Sequence, residues 1–391
     1  MNKQGQKPRV TIQYMPIRNR GYFEWIYTGL QILHEKGEIE LLQEGSSWEK
    51  FLRKHPRVWG KFDQKFPELS KLLFPVDHFS MFGRIEQSGK SMRFSYDVTD
   101  SPFTYSLAHL ELSDLYFKGQ CPIEFEEEGY PLSNTVRVPY HPYVLEARDK
   151  IRPCMSTGAI TSTFDLKRNL KVLESNASIR VASKKNRIFA SFGGDQGPRT
   201  WETSDLPPAP HNFRNERSIV SLYGEQIQHP NEKRAEIVRI LRKWGFDDID
   251  ARIWNSKDST IQGDALAWPD YLKTVCASAF NVNVSGFRRS LPFRFLDSFQ
   301  VGCGIATDTL GVKWYLPFDR EIEVIEYGDL GYESMENTDW GGIENRLREI
   351  YDGIDLSKDS GDELRQMFAK KWHPESLGRY FINECKLTID R

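Results

Sequence analysis

Apolar and polar residues alternate along Arg9–Tyr14 (RVTIQY), the period of a strand with one buried face. From Tyr22 to Glu35 the spacing becomes helical through Ile26, Leu30 and Leu33. The loop between them, Met15 to Gly21, lies at a strand's carboxyl end, where open α/β sheets collect ligands. Trp48–Leu73 reads as an amphipathic helix, and Met92–Asp97 (MRFSYD) as a strand running into the polar stretch Asp97–Pro102. Asp114–Phe117 and Asn134–Val138 read as further buried strands, and Lys167–Ser175 as a polar helix after an irregular stretch broken by Pro142 and Pro153. A second strand-to-glycine-loop beginning follows midway, at Arg187–Phe192 and Gly193-Gly194-Asp195-Gln196. Pro207, Pro208 and Pro210 mark an exposed excursion, and the helix Glu232–Trp244 is closed by Gly245 as a left-handed cap. Strand and helix alternate throughout, which predicts an α/β protein with a domain boundary near residue 180.

Length and charge narrow the classes. The chain has 391 residues, 39% hydrophobic and 28% charged, enough for two domains with packed cores and too apolar for a disordered chain. Lys plus Arg is 53 against 55 for Asp plus Glu, so the net charge of −2 gives no whole-chain attraction to nucleic acid or anionic membrane. The five cysteines are scattered and never form a CxxC pair, which argues against a disulfide framework or a zinc ribbon and for a reducing compartment. No run approaches the roughly 20 apolar residues of a spanning helix, so the expectation is a soluble, cytoplasmic protein with no transmembrane segment. Aromatic residues reach 13%, a supply of flat faces for stacking on sugar rings or for filling an aromatic core.

The most patterned part is Tyr271 to Pro317. A short helix (Tyr271–Ala279) and a buried strand (Phe280–Val284) lead into the basic loop Ser285-Gly286-Phe287-Arg288-Arg289-Ser290. A helix opening at Leu291-Pro292-Phe293-Arg294 and ending at Gly302 then precedes the strand Gly304–Asp308. Strand, basic loop and helix start make an anion-binding arrangement, in which free N–H groups and the helix dipole favour phosphate and Arg288, Arg289 and Arg294 add planar donors. Asp297, three residues beyond Arg294, projects from the same side of the helix and is placed either to accept from ribose hydroxyls or simply to pair with Arg294.

Tyr271, Ser278-Ala279-Phe280, Gly286, Arg294, Asp297, Gly302-Cys303 and Pro317-Phe318 occur in an order that resembles the donor-binding half of exostosin-like glycosyltransferases of the GT-B fold. Two positions depart from that pattern: Asp297 stands for the usual Glu, and Gly302-Cys303-Gly304-Ile305-Ala306 for the usual G-C-I-P-V. The strong match covers about 50 residues. The resemblance implies two Rossmann-like domains facing a cleft: 1–180 for a glycan acceptor and 181–370 for a nucleotide-diphosphate sugar. It further implies a segment 371–391 that crosses back onto the first domain, couples the two and lets them hinge closed. It implies transfer without a metal or other cofactor, arginines and a helix dipole countering the leaving diphosphate. The letters D-x-D in Asp248-Ile249-Asp250 follow a helix cap and read as a solvated turn.

On this reading the donor contacts are Gly286, Arg288, Arg289, Ser290, Arg294, Asp297, Asp308 and Lys313, with Glu326 and Asp329 as further sugar or base contacts. An inverting reaction needs a base from the first domain. Asp100 is the first candidate and Asp97 the second, both beyond a strand end, with Asp114 third; His78, His109 and His141 are alternatives. Asp100 before Ser101-Pro102 also suits a turn cap. Arg18, Arg20, Gly194 and Asp195 are candidate acceptor or phosphate contacts. A nucleotide-sugar or glycan-binding protein that has lost turnover is the alternative function, and another α/β transferase or phosphate-ester enzyme sharing the anion loop is a third.

Overall fold

The structure, a computed structural model, describes residues 7–16, 20–44, 79–132, 137–155, 157–193, 230–286, 289–330, 335–358 and 361–391, with scattered positions between 55 and 66. Most of the expected helix Trp48–Leu73, the proline excursion at 207–210, His78, and the candidate contacts Arg18, Gly194, Asp195 and Arg288 lie outside the described residues. Arg20 opens a 3-10 turn over Arg20–Phe23, its side chain again outside the description.

The strands of the first half are β1 (Arg9–Tyr14), β2 (Glu40–Gln43), β3 (Ser80–Gln87), β4 (Lys90–Asp97), β5 (Leu115–Lys118), β6 (Cys121–Pro122), β7 (Tyr130–Pro131), β8 (Arg137–Val138) and β9 (Ile151–Pro153). Six of them form one sheet in the order β2-β1-β3-β4-β5-β9, while β7 and β8 make a small ribbon. β1, β2, β4, β5 and β9 run in one direction, and β3 is antiparallel to both of its neighbours, β1 and β4. β3 was not expected from the sequence. It forms a hairpin with β4 through Ser88 and Gly89, whose φ values of +53° and +81° suit a tight two-residue turn. Helices α1 (Glu24–Glu35), α2 (Leu107–Leu112), α3 (Pro142–Glu146) and α4 (Leu166–Ala177) complete this half.

The second half is built from β10 (Asn186–Gly193), β11 (Ile249–Trp254), β12 (Gln262–Gly263), β13 (Ser278–Asn283), β14 (Gly304–Asp308), the short β15 (Val312–Lys313) and β16 (Val324–Gly328). All but β15 form a wholly parallel sheet in the order β12-β11-β10-β13-β14-β16. Counted from β10 this is the doubly wound order 3-2-1-4-5-6, whose switch point lies between β10 and β13. Its helices are α5 (Pro230–Lys243), α6 (Trp268–Cys276), α7 (Arg294–Gln300) and α8 (Trp340–Gly353). α7 starts at Arg294, three residues later than the proline pattern suggested.

The carboxyl ends of the two sheets face each other. Gln120, beyond β5, donates to the Leu291 carbonyl at 3.0 Å and accepts from the Leu291 N–H at 2.9 Å. β6 pairs with β15 in an antiparallel ladder between the halves. The chain ends with α9 (Gly361–Met367), a π-turn over Phe368–Trp372 and α10 (Pro374–Asp390). α10 returns to α1 at a crossing so close that a Cβ on Gly29 would lie 2.1 Å from the Pro374 carbonyl oxygen. Lys36–Glu375 and Arg379–Glu38 ion pairs flank the crossing, and Phe381 packs edge-on to Phe94 of β4. Two Rossmann-like halves facing across a cleft, with the last helix laid back on the first, is the GT-B arrangement. The halves are not loosely joined, however. One apolar cluster contains Phe94 and Tyr96 of the first sheet, Phe295 and Phe299 of α7, and Trp372 and Phe381 of the C-terminal segment.

Candidate functional site

Three described amides of the loop after β13 have partners within the protein. The Ser285 N–H is taken by Asp308 at 3.0 Å, the Gly286 N–H by the Ser290 carbonyl at 3.2 Å, and the Arg289 N–H by the Gly286 carbonyl at 3.0 Å. In the first turn of α7 the N–H groups of Phe295, Leu296 and Asp297 bond to the Pro292 and Phe293 carbonyls. Among the described residues, the amides of Ser285, Gly286, Arg289, Phe295, Leu296 and Asp297 are therefore already paired within the protein, and α7 has only seven residues.

Several expected donor contacts also have partners within the protein. Asp308 is buried and holds the Ser285 hydroxyl at 2.8 Å and the Thr307 hydroxyl at 3.0 Å, and burial raises its carboxyl above the usual range. Ser290 is buried against Gly286, where a Cβ would fall 2.5 Å from the Ser290 Oγ. Arg289 sits at φ +58°, 6% exposed; it donates to the Thr309 carbonyl at 2.9 Å and the Pro131 carbonyl at 3.3 Å and pairs with Asp329. Its guanidinium thus ties the second half to the first. Lys313 donates to the Ile123 carbonyl at 2.6 Å, also across the seam, and Glu326 is paired with Arg320.

Arg294 is differently placed. Its Nη1 lies 3.4 Å from the Ser191 carbonyl and 3.3 Å from that of Val282, at the carboxyl ends of β10 and β13, so the side chain spans the switch point. The guanidinium carbon lies 5.0 Å from the centre of the buried Phe192 ring. Arg234, from the first turns of α5, reaches the same ring at 5.8 Å and is braced by Asn231 at 3.1 Å. Two planar cations thus converge on one aromatic ring at the end of the central strand, each within cation–π range. Asp297 stands beside Arg294: burial pushes its carboxyl up to about 7, and the Arg294 charge pulls it back. Tyr271, pushed up to about 12 by burial and by Asp297, accepts from the Asn281 amide at 3.4 Å. Asn283 ends β13 with its side-chain oxygen buried and without a partner among the described residues, while its backbone carbonyl accepts from the Tyr327 hydroxyl at 2.6 Å.

On the facing side the two candidate bases separate. Asp97 is fully buried; its carboxylate accepts from Lys118 at 3.0 Å, the Tyr116 hydroxyl at 2.5 Å and the Thr99 N–H at 2.7 Å. A carboxylate so enclosed is a core ion pair and cannot reach an acceptor hydroxyl. Asp100, three residues on, is exposed and close enough to Tyr22 for its charge to add to the burial that raises the phenol. Asp114 precedes β5, at the end of the sheet away from the cleft, and takes the Arg93 N–H at 2.7 Å. His141 caps α3, and His109 stacks on Phe82. Asp248 lies in the turn before β11, as expected, and accepts from the Tyr351 hydroxyl, while Asp250 is already in the strand and pairs with Arg252.

Phe293, next to Arg294, is half exposed and lies against Gly158, where a Cβ would be 3.1 Å from the ring. The neighbouring Ala159 meets Gly21, whose own Cβ would be 2.9 Å from the Ala159 methyl. Arg294, Phe293, Gly158-Ala159, Gly21-Tyr22 and Asp100 therefore follow one another across the mouth between the halves. Arg234 and the Gly158–Ala159 strip were missed in the sequence; nothing local marks either, because each acts through residues far along the chain.

No protein-family model matches the sequence, and no curated protein matches it. Among solved structures, HepE of Anabaena in complex with UDP is similar over 98% of this chain and 100% of its own, at 8% identity and a TM-score of 0.36. The GtfA/B complex is similar over 73% of this chain at 8% identity and a TM-score of 0.35, and this chain spans 56% of the GtfA/B chain it matches. WaaG, a glycosyltransferase involved in lipopolysaccharide biosynthesis, is similar over 96% of this chain and 99% of its own, at 10% identity and a TM-score of 0.30. No helix among the described residues is long and apolar enough to cross a membrane.

Proposed function

We propose that the protein is a glycosyltransferase that takes a sugar from a nucleotide-diphosphate donor held in the second half and passes it to a glycan hydroxyl at the mouth of the first. The observation that carries this reading is the convergence of Arg234 and Arg294 on Phe192 at the switch point of a doubly wound sheet. Planar guanidiniums match a diphosphate bidentately, and at a site lined by buried residues they offset the charge that grows on the leaving group. That role needs no metal. Asp297 beside Arg294 is the ribose-side acceptor, and Asp100 is the base of an inverting transfer. Tyr22 and Phe293 present exposed ring faces to the acceptor. The exostosin-like motif order supports the donor half in particular, and the lack of a long apolar stretch suits a cytoplasmic enzyme.

The first test is a thermal-shift panel of UDP, GDP, CMP and dTDP sugars with and without EDTA, since a ligand of the native state raises the melting temperature by mass action. One nucleotide class should shift the protein, and EDTA should leave the shift unchanged. Arg294→Ala and Arg234→Ala should each weaken that nucleotide by about tenfold or more, as expected for a lost charge-assisted contact of about 1.5–3 kcal/mol. Unchanged affinity in both would overturn the donor assignment. Asp100→Asn should bind nucleotide normally and lose transfer; binding without transfer in the unmutated protein would instead favour a non-catalytic nucleotide-sugar protein.

A further inference from the structure

Glu24 is fully buried at the start of α1, and its carboxylate is wrapped by a distant segment of chain. One oxygen accepts from the N–H groups of Ile160, Thr161 and Ser162 at 2.7, 2.9 and 2.8 Å; the other accepts from Thr163 and Phe164 at 3.0 and 3.1 Å and from the Thr161 hydroxyl at 3.1 Å. Five consecutive amides on one side chain is the geometry of an anion nest, here filled by the protein's own carboxylate. The wrapping forces Ser162 and Phe164 to φ values of +59° and +55°, which non-glycine residues rarely adopt and which persist only where the surroundings dictate them.

The segment so held is the one that spans the mouth. Immediately before the five amides come Gly158, packed on Phe293, and Ala159, packed on Gly21. Phe293 leads directly into Arg294, and Gly21 into Tyr22, so one short strip touches the approach to the nucleotide pocket and the approach to Asp100. We infer that Glu24 is a positioning residue that fixes this strip and, through it, the register of the acceptor side against the donor side. It touches neither substrate. The inference rests on the transferase reading only for what the mouth receives; the mechanical linkage stands on the contacts.

The experiment is hydrogen exchange on the full chain, comparing the unmutated protein with Glu24→Gln, in which one accepting oxygen becomes an N–H donor. Exchange at amides 160–164 should rise at least tenfold. The rise should spread in both directions, to the Arg20–Phe23 turn and to 293–295, while β1 and β10 keep their protection. Faster exchange confined to 160–164 would overturn the inference and leave Glu24 a local cap. Should Glu24→Gln fail to fold, Ala159→Gly removes only the methyl against Gly21. It should speed exchange at 20–23 several-fold with 160–164 still protected, and no change there would equally overturn the proposal. Titration with UDP, GDP, CMP and dTDP separates this from the functional reading: Glu24→Gln should hold whichever of them the unmutated protein binds within about twofold of the unmutated affinity while raising the acceptor KM by tenfold or more. Absence of binding of all four in both proteins would overturn the donor site, while the exchange pattern would still decide the role of Glu24 by itself.

Discussion

Asp97 and Asp100 are three residues apart and have opposite fates. Asp97 ends β4 inside the core, where Lys118, itself fully buried, depends on it and on the Thr104 carbonyl for its charge. Asp97→Asn should destabilise the protein by about 3–5 kcal/mol, the usual result of leaving a buried charge without its partner, and denaturant titration would show it. Asp100→Asn, at an exposed position, should leave stability within about 0.5 kcal/mol. Asp297 makes a pH-dependent prediction. Its folded pKa, raised by burial to about 7 from the ordinary 3.8, means that ionisation opposes folding. That penalty is absent below the unfolded value, grows as pH rises between about 4 and about 7, and is constant above. Asp297→Asn should therefore match the original protein near pH 4 and melt higher at pH 8, which melting curves across pH would check. Arg294 could be read from sequence because its neighbours along the chain carry the pattern. Arg234 and Glu24 could not: the first acts through a ring on another strand, and the second through amides 136 to 140 residues away.

Elements whose pattern is set by their own burial were legible in the sequence. Arg9–Tyr14 and Gly304–Asp308 occupy the residues their alternation or apolar run indicated, and Gly245, at φ +69°, ends its helix as a left-handed cap. β3 escaped because Ser80–Gln87 (SMFGRIEQ) is interrupted at Gly83, whose lack of a side chain is explained by the Thr11 carbonyl and the Phe94 ring, 2.4 and 2.7 Å from where its Cβ would stand. The expected phosphate-binding helix start shows what spacing leaves out: it places N–H groups but not the carbonyls that pair with them, such as those of Pro292 and Phe293. The α1–α10 crossing is the element most exposed to a single change. Gly29→Ala would drive a methyl into the Pro374 carbonyl and cannot be accommodated by a rotamer, since backbone is on both sides. A loss of about 1–3 kcal/mol or more is expected from such overpacking, with α10 the first segment to become protease-sensitive.

At the scale of the whole molecule, contacts between the halves bear on the expected hinge. The β6–β15 ladder, the reciprocal Gln120–Leu291 amide pair and the Arg289 guanidinium on Pro131 cross from one half to the other, and Trp372 carries the core across the same boundary. Trp372 donates its indole N–H to Glu323 at 2.7 Å and offers its carbonyl to the Trp25 indole at 3.0 Å, so one residue is bonded to both halves. Rigid-body closure would have to break these contacts together. Small-angle scattering should accordingly give the same radius of gyration with and without bound nucleotide, and calorimetry a single transition whose van't Hoff and calorimetric enthalpies agree. A contracted complex, or two resolved transitions, would show that the seam yields. The shared core also bears on how such a chain can change over evolutionary time. Donor and acceptor halves that meet only at a wet cleft can be exchanged between genes as modules. A half whose tryptophan completes the other half's interior cannot be transplanted without a matching host, so change that keeps this core intact is left to the loops.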